Sequence, residues 1–442
     1  LGSTVYKNSY IGNIAQSLRF FVQVNNILDP MQRLQAYKFE LRPNGEQSRK
    51  LRQFAGSCRF VYNRAFALQQ ENHGAGLKYI GYVAMANKLP EWRKDPQTCW
   101  LKDAPAHPLQ QTLRDLDRAY QNFFSKRSGF PRFKKKGRGE SFRYPEPKQF
   151  KLDPANNRVF LPKLGWIRYR NSRNVPGTLR NITVSERAGK WFFSIQTARQ
   201  IEAPQHPSTS MVGIDLGIKV FAAQSDGINH LALNSFAKYR RQLSRAQRAL
   251  SRKHKFSSNW KKQKARIARL HRRIANARAD YLHKTSHAIS KNHAVVCVED
   301  LKVANMSRSA AGSQQKPGKN VRAKSGLNRS ILDQGWGEFR RQLGYKLEWT
   351  GGQLISVPAH YTSQQCSECG HIAQENRQDQ AHFCCMSCGH AQNADTNAAR
   401  NIEAAGHAVM ARGGDVRPEL RTIAVQATPA KQEPAEAIQA FA

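Results

Sequence analysis

Three acidic residues stand where strand or helix geometry would hold them rigidly. Asp215 closes the apolar run Met211-Val212-Gly213-Ile214 and precedes Leu216-Gly217-Ile218-Lys219, so it projects from a strand end beside a glycine that lets a phosphate come close. Glu299 closes Val295-Val296-Cys297-Val298 in the same manner. Asp395 opens Asp395-Thr396-Asn397-Ala398-Ala399-Arg400-Asn401-Ile402, where the spacing predicts a helix that packs Ala398, Ala399 and Ile402 inward and places Asp395 at the same edge. Two strand-end acids and one helix acid are hard oxygen donors suited to divalent cations such as Mg2+ or Mn2+. Such ions activate a water, orient a phosphate and offset charge on the leaving oxygen, the chemistry of phosphodiester hydrolysis. A single acid after an apolar strand is more often a turn or cap residue, so the weight rests on the set.

A second chemistry is written in cysteine. Cys366-Ser367-Glu368-Cys369-Gly370-His371 is echoed by Cys385-Met386-Ser387-Cys388-Gly389-His390, with 15 residues between Cys369 and Cys385. Two such knuckles make one tetrahedral thiolate site for Zn2+, and the glycine after each second cysteine permits a tight left-handed turn. His371 and His390 read as bystanders, and Cys384 falls outside the echo. Five of the eight cysteines fall within 23 residues, which suits a metal site in a reducing compartment rather than a disulfide framework.

These groups need elements to hold them. Tyr37, Phe39 and Leu41 alternate with charged residues from Ala36 to Arg42, the period of a half-buried strand, and Pro43-Asn44-Gly45 ends it. Helical spacing follows from Glu46 to about Gln70 and from Pro108 to about Lys126, where Leu109, Leu113, Leu116, Tyr120 and Phe123 share one face. Short strands are expected at Val159 to Leu161, Trp166 to Tyr169, Asn181 to Ser185 and Trp191 to Thr197, with Ala188-Gly189-Lys190 turning the last pair. The economical picture is a small β-barrel split by a helical insertion. Between helices and strands, Phe130, Phe133, Phe142 and Tyr144 interleave with Arg132, Lys134, Lys135, Lys136, Arg138 and Arg143. Those cations can meet phosphates while the rings stack on bases or pack on the barrel, unless the stretch is a basic linker.

In the second half, a very basic helical stretch from Ser235 to about Lys291 breaks near Phe256 to Asn259, and Ile267, Leu270, Ile274, Ala277 and Tyr281 form its seam. An antiparallel helical pair with cationic outer faces is expected. Met306 to Asn328, rich in Ser, Gly, Lys and Arg, reads as a mobile loop. Residues 1–30 read as a leader, either added ahead of a natural start at Met31 or an upstream-extended reading frame, and residues 412–442 as a disordered tail.

The chain has 442 residues with 40% hydrophobic content, enough for two or three cores rather than one small domain. Its 71 Lys and Arg against 31 Asp and Glu give a formal net charge of +40, which calls for a polyanion, and nucleic acid is the expected partner. Neither a run of 18 apolar residues nor a secretory signal pattern is present, so a cytosolic location is expected.

At these residues the chain resembles the TnpB family of insertion-sequence proteins, relatives of the Cas12 nucleases. The matching stretches are Gly213-Ile214-Asp215-Leu216-Gly217, Val298-Glu299-Asp300-Leu301, Tyr361-Thr362-Ser363-Gln364 leading into the cysteine knuckles, and the run opened by Asp395. Asn328-Arg329-Ser330, Gly335-Trp336-Gly337-Glu338-Phe339 and Gly129-Phe130-Pro131-Arg132-Phe133-Lys134 also match, so the resemblance spans about Met31 to Ala405.

It implies an α/β multidomain chain. An oligonucleotide-binding-like β-barrel wedge domain (31–45 and 140–205) would be interrupted by a helical recognition lobe (46–139). An RNase H-like, RuvC-type nuclease (206–360 and 391–411) would carry the inserted zinc ribbon (361–390). It further implies a guide RNA from the transposon end, a short transposon-adjacent motif read on double-stranded DNA, cleavage of the unwound target by Asp215, Glu299 and Asp395, and a prokaryotic, nucleoid-associated setting. An RNA-guided DNA-binding repressor without cleavage and an unguided RNase H-fold recombinase are the competing readings. Retention of a carboxylate at all three positions disfavours the first.

Overall fold

The computed structural model describes residues 31–411, so the leader and tail readings lie outside the described residues. Two compact units meet in sequence at about residue 200.

The first unit opens with β1 (Met31–Arg42), which buries Tyr37, Phe39 and Leu41 as the alternation predicts. Helix α1 (Gly45–Gly74) follows at once, because Asn44 forms a capping box with Gln47. The Asn44 side chain accepts from the Gln47 N–H at 2.8 Å and the Asn44 N–H donates back to Gln47 Oε1 at 3.1 Å. Helix α2 (Tyr82–Lys94) has no counterpart in the sequence reading, since Pro90 interrupts it and its buried residues, Met85, Leu89 and Trp92, are few. Helix α3 (Ala106–Phe124) buries Leu109, Leu113, Leu116 and Tyr120 along the expected face.

Six strands complete this unit: β2 (Ser141–Tyr144), β3 (Lys151–Asp153), β4 (Arg158–Leu161), β5 (Gly165–Tyr169), β6 (Thr178–Arg187) and β7 (Lys190–Ile201). With β1 they form one seven-stranded sheet in the order β2-β6-β7-β1-β5-β4-β3. Ala188 and Gly189, both at positive φ, turn β6 into β7, with Arg187 opposite Lys190. The basic aromatic stretch departs from expectation only in its first half. Phe142 and Tyr144 are buried in β2, while the half-exposed rings of Phe130 and Phe133 sit 5.1 Å from Phe123 and 4.6 Å from Phe66. Phe130 and Phe133 therefore pack on α1 and α3, where burial against neighbouring helical residues is available locally, while Phe142 and Tyr144 pack within the sheet.

The second unit begins with β8 (Met211–Asp215), β9 (Val220–Gln224) and β10 (Asn229–Leu231). Helices α4 (Ser235–Ser251) and α5 (Ser258–Asn292) form the basic pair, packed through Leu243, Ala246, Ile267 and Leu270. Then come β11 (Val295–Glu299), the short α6 (Val303–Met306), α7 (Val321–Gln334), α8 (Trp336–Thr350) and β12 (Gln353–Val357). The expected mobile loop is thus partly helical. Helix α7 starts inside it, and Lys324 and Asn328 donate to the carbonyls of Met306 and Arg308 at 2.7 and 3.1 Å. It escaped notice because α7 buries only its last turn, Ile331, Asp333 and Gln334. A hairpin of β13 (His382–Cys384) and β14 (Ala391–Asn393) leads into α9 (Ala394–Ala411).

The central sheet has the order β10-β9-β8-β11-β12, antiparallel through β10, β9 and β8 and parallel through β8, β11 and β12. Val298 stands opposite Ile214, so Glu299 and Asp215 finish neighbouring strands at one edge. On one face Val212, Ile214, Val296 and Val298 pack against Leu282, Ile289, Phe339 and Leu347. On the other, Cys297, Ile355 and Val357 meet Ile402 of α9. That helix lies almost on the backbone of β8: a Cβ at Gly213 would stand 2.0 Å from the Ala399 carbonyl oxygen. No helix among the described residues is long and apolar enough to cross a membrane.

Gly213→Ala therefore forces α9 off β8. With about 1–3 kcal/mol expected for overpacking, its melting temperature should fall by about 2–12 °C in a unit of this size. Gly337→Ala, where the added methyl meets nothing within 4 Å, should leave the melting temperature unchanged or raise it. Differential scanning calorimetry of the two variants checks the contrast.

Candidate active site and metal centre

Asp215 sits at the carboxyl end of β8, where burial above all, then the Glu299 and Asp395 carboxylates, push its carboxyl up to about 7; the Arg377 guanidinium pulls the other way. Asp395, in the first turn of α9, is raised by burial and held back by Arg377 and Lys219. Glu299 Oε1 accepts from Thr362 Oγ1 at 2.5 Å. An Arg377 terminal nitrogen lies 3.6 Å from Asp395 Oδ1. All three sequence-identified acids thus gather at one sheet edge, where Glu299 and Asp395 both raise the Asp215 carboxyl. Their oxygens do not all come within 4.8 Å of each other; among the described residues only the four cysteines below meet that spacing. A set of carboxylates in which burial and two acidic neighbours raise the pKa of one member is under-compensated in positive charge, which fits a hard divalent cation.

The ribbon cysteines match the echo in detail. Cys366 Sγ lies 3.7 Å from Cys388 Sγ and Cys369 Sγ lies 3.6 Å from Cys385 Sγ, with all four within 4.8 Å of one another. A tetrahedral thiolate site with metal–sulfur bonds of about 2.3 Å needs sulfurs about 3.8 Å apart, so the donor set fits Zn2+. The two knuckles repeat the same turn. The Cys366 and Cys385 N–H groups each donate at 2.9 Å to the His371 and His390 carbonyls, and the Gly370 and Gly389 N–H groups each return at 3.0 Å. Both glycines have positive φ, 76° and 71°. The histidine side chains and Cys384 stand outside the cluster.

Sequence reasoning missed Thr362 and Arg377. The first lay inside a quoted motif without an assigned role. The second sits in the ribbon loop between the knuckles, where no spacing signals it. Asp333, also unassigned, anchors the basic pair: it accepts from Ser235 Oγ at 2.9 Å, Phe236 N–H at 2.8 Å and Arg278 at 3.1 Å.

Comparison with known proteins gives the following. Residues 192–310 match a family profile described as "Probable transposase", and residues 336–402 one described as "Cas12f1-like, TNB domain". Residues 31–78 match a "Helix-turn-helix domain" profile, although the structure folds them as β1 and the single helix α1. "Putative RNA-guided DNA endonuclease InsQ" of Escherichia coli is 59% identical over 412 residues, covering 93% of this chain and all of that protein. A "Putative RNA-guided DNA endonuclease" of Streptomyces pristinaespiralis is 34% identical, covering 91% of this chain and 96% of its own. "CRISPR-associated endodeoxyribonuclease Cas12f1" of Sulfoacidibacillus thermotolerans is 29% identical over about half of each chain, 49% and 50%. A solved Cas12f1–sgRNA–target DNA complex aligns with a TM-score of 0.51 at 15% identity, covering 81% of this chain and 83% of that one, a likeness of fold.

Two outcomes follow from this geometry. Because burial raises the Asp215 carboxyl from its unfolded value near 4 to about 7, the metal-free fold loses stability as pH rises through that window and recovers it on acidification. Asp215→Asn should therefore melt higher than wild type at pH 8 without divalent ions, with the gap closing towards pH 4 at about 1.4 kcal/mol per pKa unit at most. Cys366→Ser should drop bound zinc, one ion per chain in the wild type by atomic absorption, and lower soluble yield.

Proposed function

The chain belongs to the TnpB family of insertion-sequence proteins, and on that premise we propose that it is an RNA-guided DNA endonuclease. The observation that carries this reading is the convergence of Asp215, Glu299 and Asp395 at the edge of a sheet whose relatives at 59% and 34% identity carry that name. Its strand order, three antiparallel strands continued by two parallel ones, supports an RNase H-like, RuvC-type nuclease. The seven-stranded unit would be the barrel-like wedge domain, and the four-cysteine hairpin a zinc ribbon.

Asp215, Glu299 and Asp395 would hold Mg2+ or Mn2+. When bound, such ions supply an activated water and neutralise charge on the leaving oxygen. Arg377, reaching Asp395 from the ribbon, presents a forked donor to an incoming phosphate once the acids engage cations. Lys219, in the turn after β8, adds a second positive charge beside Asp395. The cationic outer faces of α4 and α5 would track nucleic-acid backbone, and Asp333 keeps that pair rooted on the nuclease unit. The partners in this reading are a guide RNA from the transposon end and target DNA carrying a short adjacent motif, with base pairing reading most of the sequence.

Asp215→Ala, Glu299→Ala and Asp395→Ala should each reduce cutting of a guide-matched target in Mg2+ by at least about a thousandfold, a loss of about 4 kcal/mol of barrier lowering. RNA-dependent DNA binding should survive in all three. Cutting by any one of them at the wild-type rate would refute the site, and wild-type cutting that needs no RNA would favour an unguided recombinase.

A further inference from the structure

The helix that carries Asp395 also grips the root of the ribbon, and it does so through two asparagines one turn apart. Asn397 is fully buried and Asn401 is 7% exposed, on the side of α9 that faces the loop after β12. Asn397 Nδ2 donates to the Gln365 carbonyl at 2.7 Å, and its Oδ1 accepts the Ser367 N–H at 3.0 Å. Asn401 Nδ2 donates to the carbonyls of Thr362 at 2.9 Å and Gln365 at 2.7 Å. The loop so held is the one that brings Thr362 Oγ1 to Glu299 and runs directly into Cys366. A third buried amide continues the chain of contacts inside the ribbon. Asn376 bonds the Gln364 and His371 carbonyls at 2.9 and 3.1 Å and accepts the Met386 N–H at 2.9 Å, and its neighbour Arg377 faces Asp395.

We propose that Asn397 and Asn401 are positioning residues for cleavage: they latch the ribbon root to α9 so that Thr362 orients Glu299 and Arg377 meets Asp395. The inference rests on the nuclease reading of the acids. Replacing Asn401 by an apolar side chain would orphan the Thr362 carbonyl, and replacing Asn397 would orphan the Ser367 N–H, each at about 1–3 kcal/mol, while the Gln365 carbonyl would keep the other asparagine. An ordinary packing position on α9 would take an apolar side chain, as Ala398 and Ile402 do. Here both buried polar positions instead fix the backbone of the segment carrying the Glu299 partner. Groups that orient primary ligands in this way typically cost 10–100-fold in activity when removed.

The test uses the full chain with its copurified RNA and compares Asn401→Ala with Thr362→Val and Thr362→Ser. At saturating target DNA, Asn401→Ala and Thr362→Val should each slow single-turnover cleavage about 10–100-fold, while DNA affinity stays within twofold and zinc remains at one per chain. Thr362→Ser, which keeps the hydroxyl, should restore most of the rate. The double variant should be no slower than the worse single one, because Asn401 acts through Thr362. Wild-type cutting by Asn401→Ala, additive losses in the double variant, or loss of zinc or of folding in both Asn401→Ala and Asn401→Ser would overturn the proposal. Absence of cutting by the wild type would instead overturn the nuclease reading beneath it.

Discussion

Three carboxylates drawn to one sheet edge repel one another, and the second unit is built to hold them there regardless. The cost is visible at Asp215, whose carboxyl is pushed to about 7 by burial and by its two acidic neighbours. What opposes it is apolar packing on both faces of the sheet, with Val212, Ile214, Val296 and Val298 on one side and Cys297 with Ile402 on the other. The parallel register that sets Val298 against Ile214 brings two of the acids into line. Gly213 supplies the third by letting α9 approach backbone to backbone. Strain of this kind is stored where a ligand relieves it, and a divalent cation is the species that would do so.

The ribbon is more than an appended fold. Its loop between the knuckles delivers Arg377 to Asp395, and its root delivers Thr362 to Glu299. A hairpin that a bound metal would stiffen is an apt way to place two such groups from a segment of about thirty residues that has little apolar core of its own, here Phe383 with Cys366, Cys385 and Ala394.

Much of this was legible in the sequence, for identifiable reasons. Strands β8 and β11 read correctly to the residue because continuous apolar runs ending in an acid have few other interpretations. The knuckles were legible because thiolate geometry dictates spacing. The acid-bearing helix showed its inward face in Ala398, Ala399 and Ile402. Helix α2 and the start of α7 were not legible, since each buries only a few residues and Pro90 breaks the pattern of α2. Phe130 and Phe133 misled because an aromatic among cations has the same spacing whether it stacks on a base or on Phe66. Arg377 and Thr362 could not be found at all: their roles come from tertiary proximity over tens of residues, which local periodicity does not encode.

The central claim is that Asp215, Glu299 and Asp395 form one cation site. Anomalous scattering from crystals of the protein with its RNA and target DNA, soaked in Mn2+, tests it most directly. A manganese peak at about 2 Å from oxygens of all three carboxylates, singly or as a bridged pair of ions, is the expected result. A saturated crystal with no manganese at that edge, or with ions that touch none of the three, would contradict it.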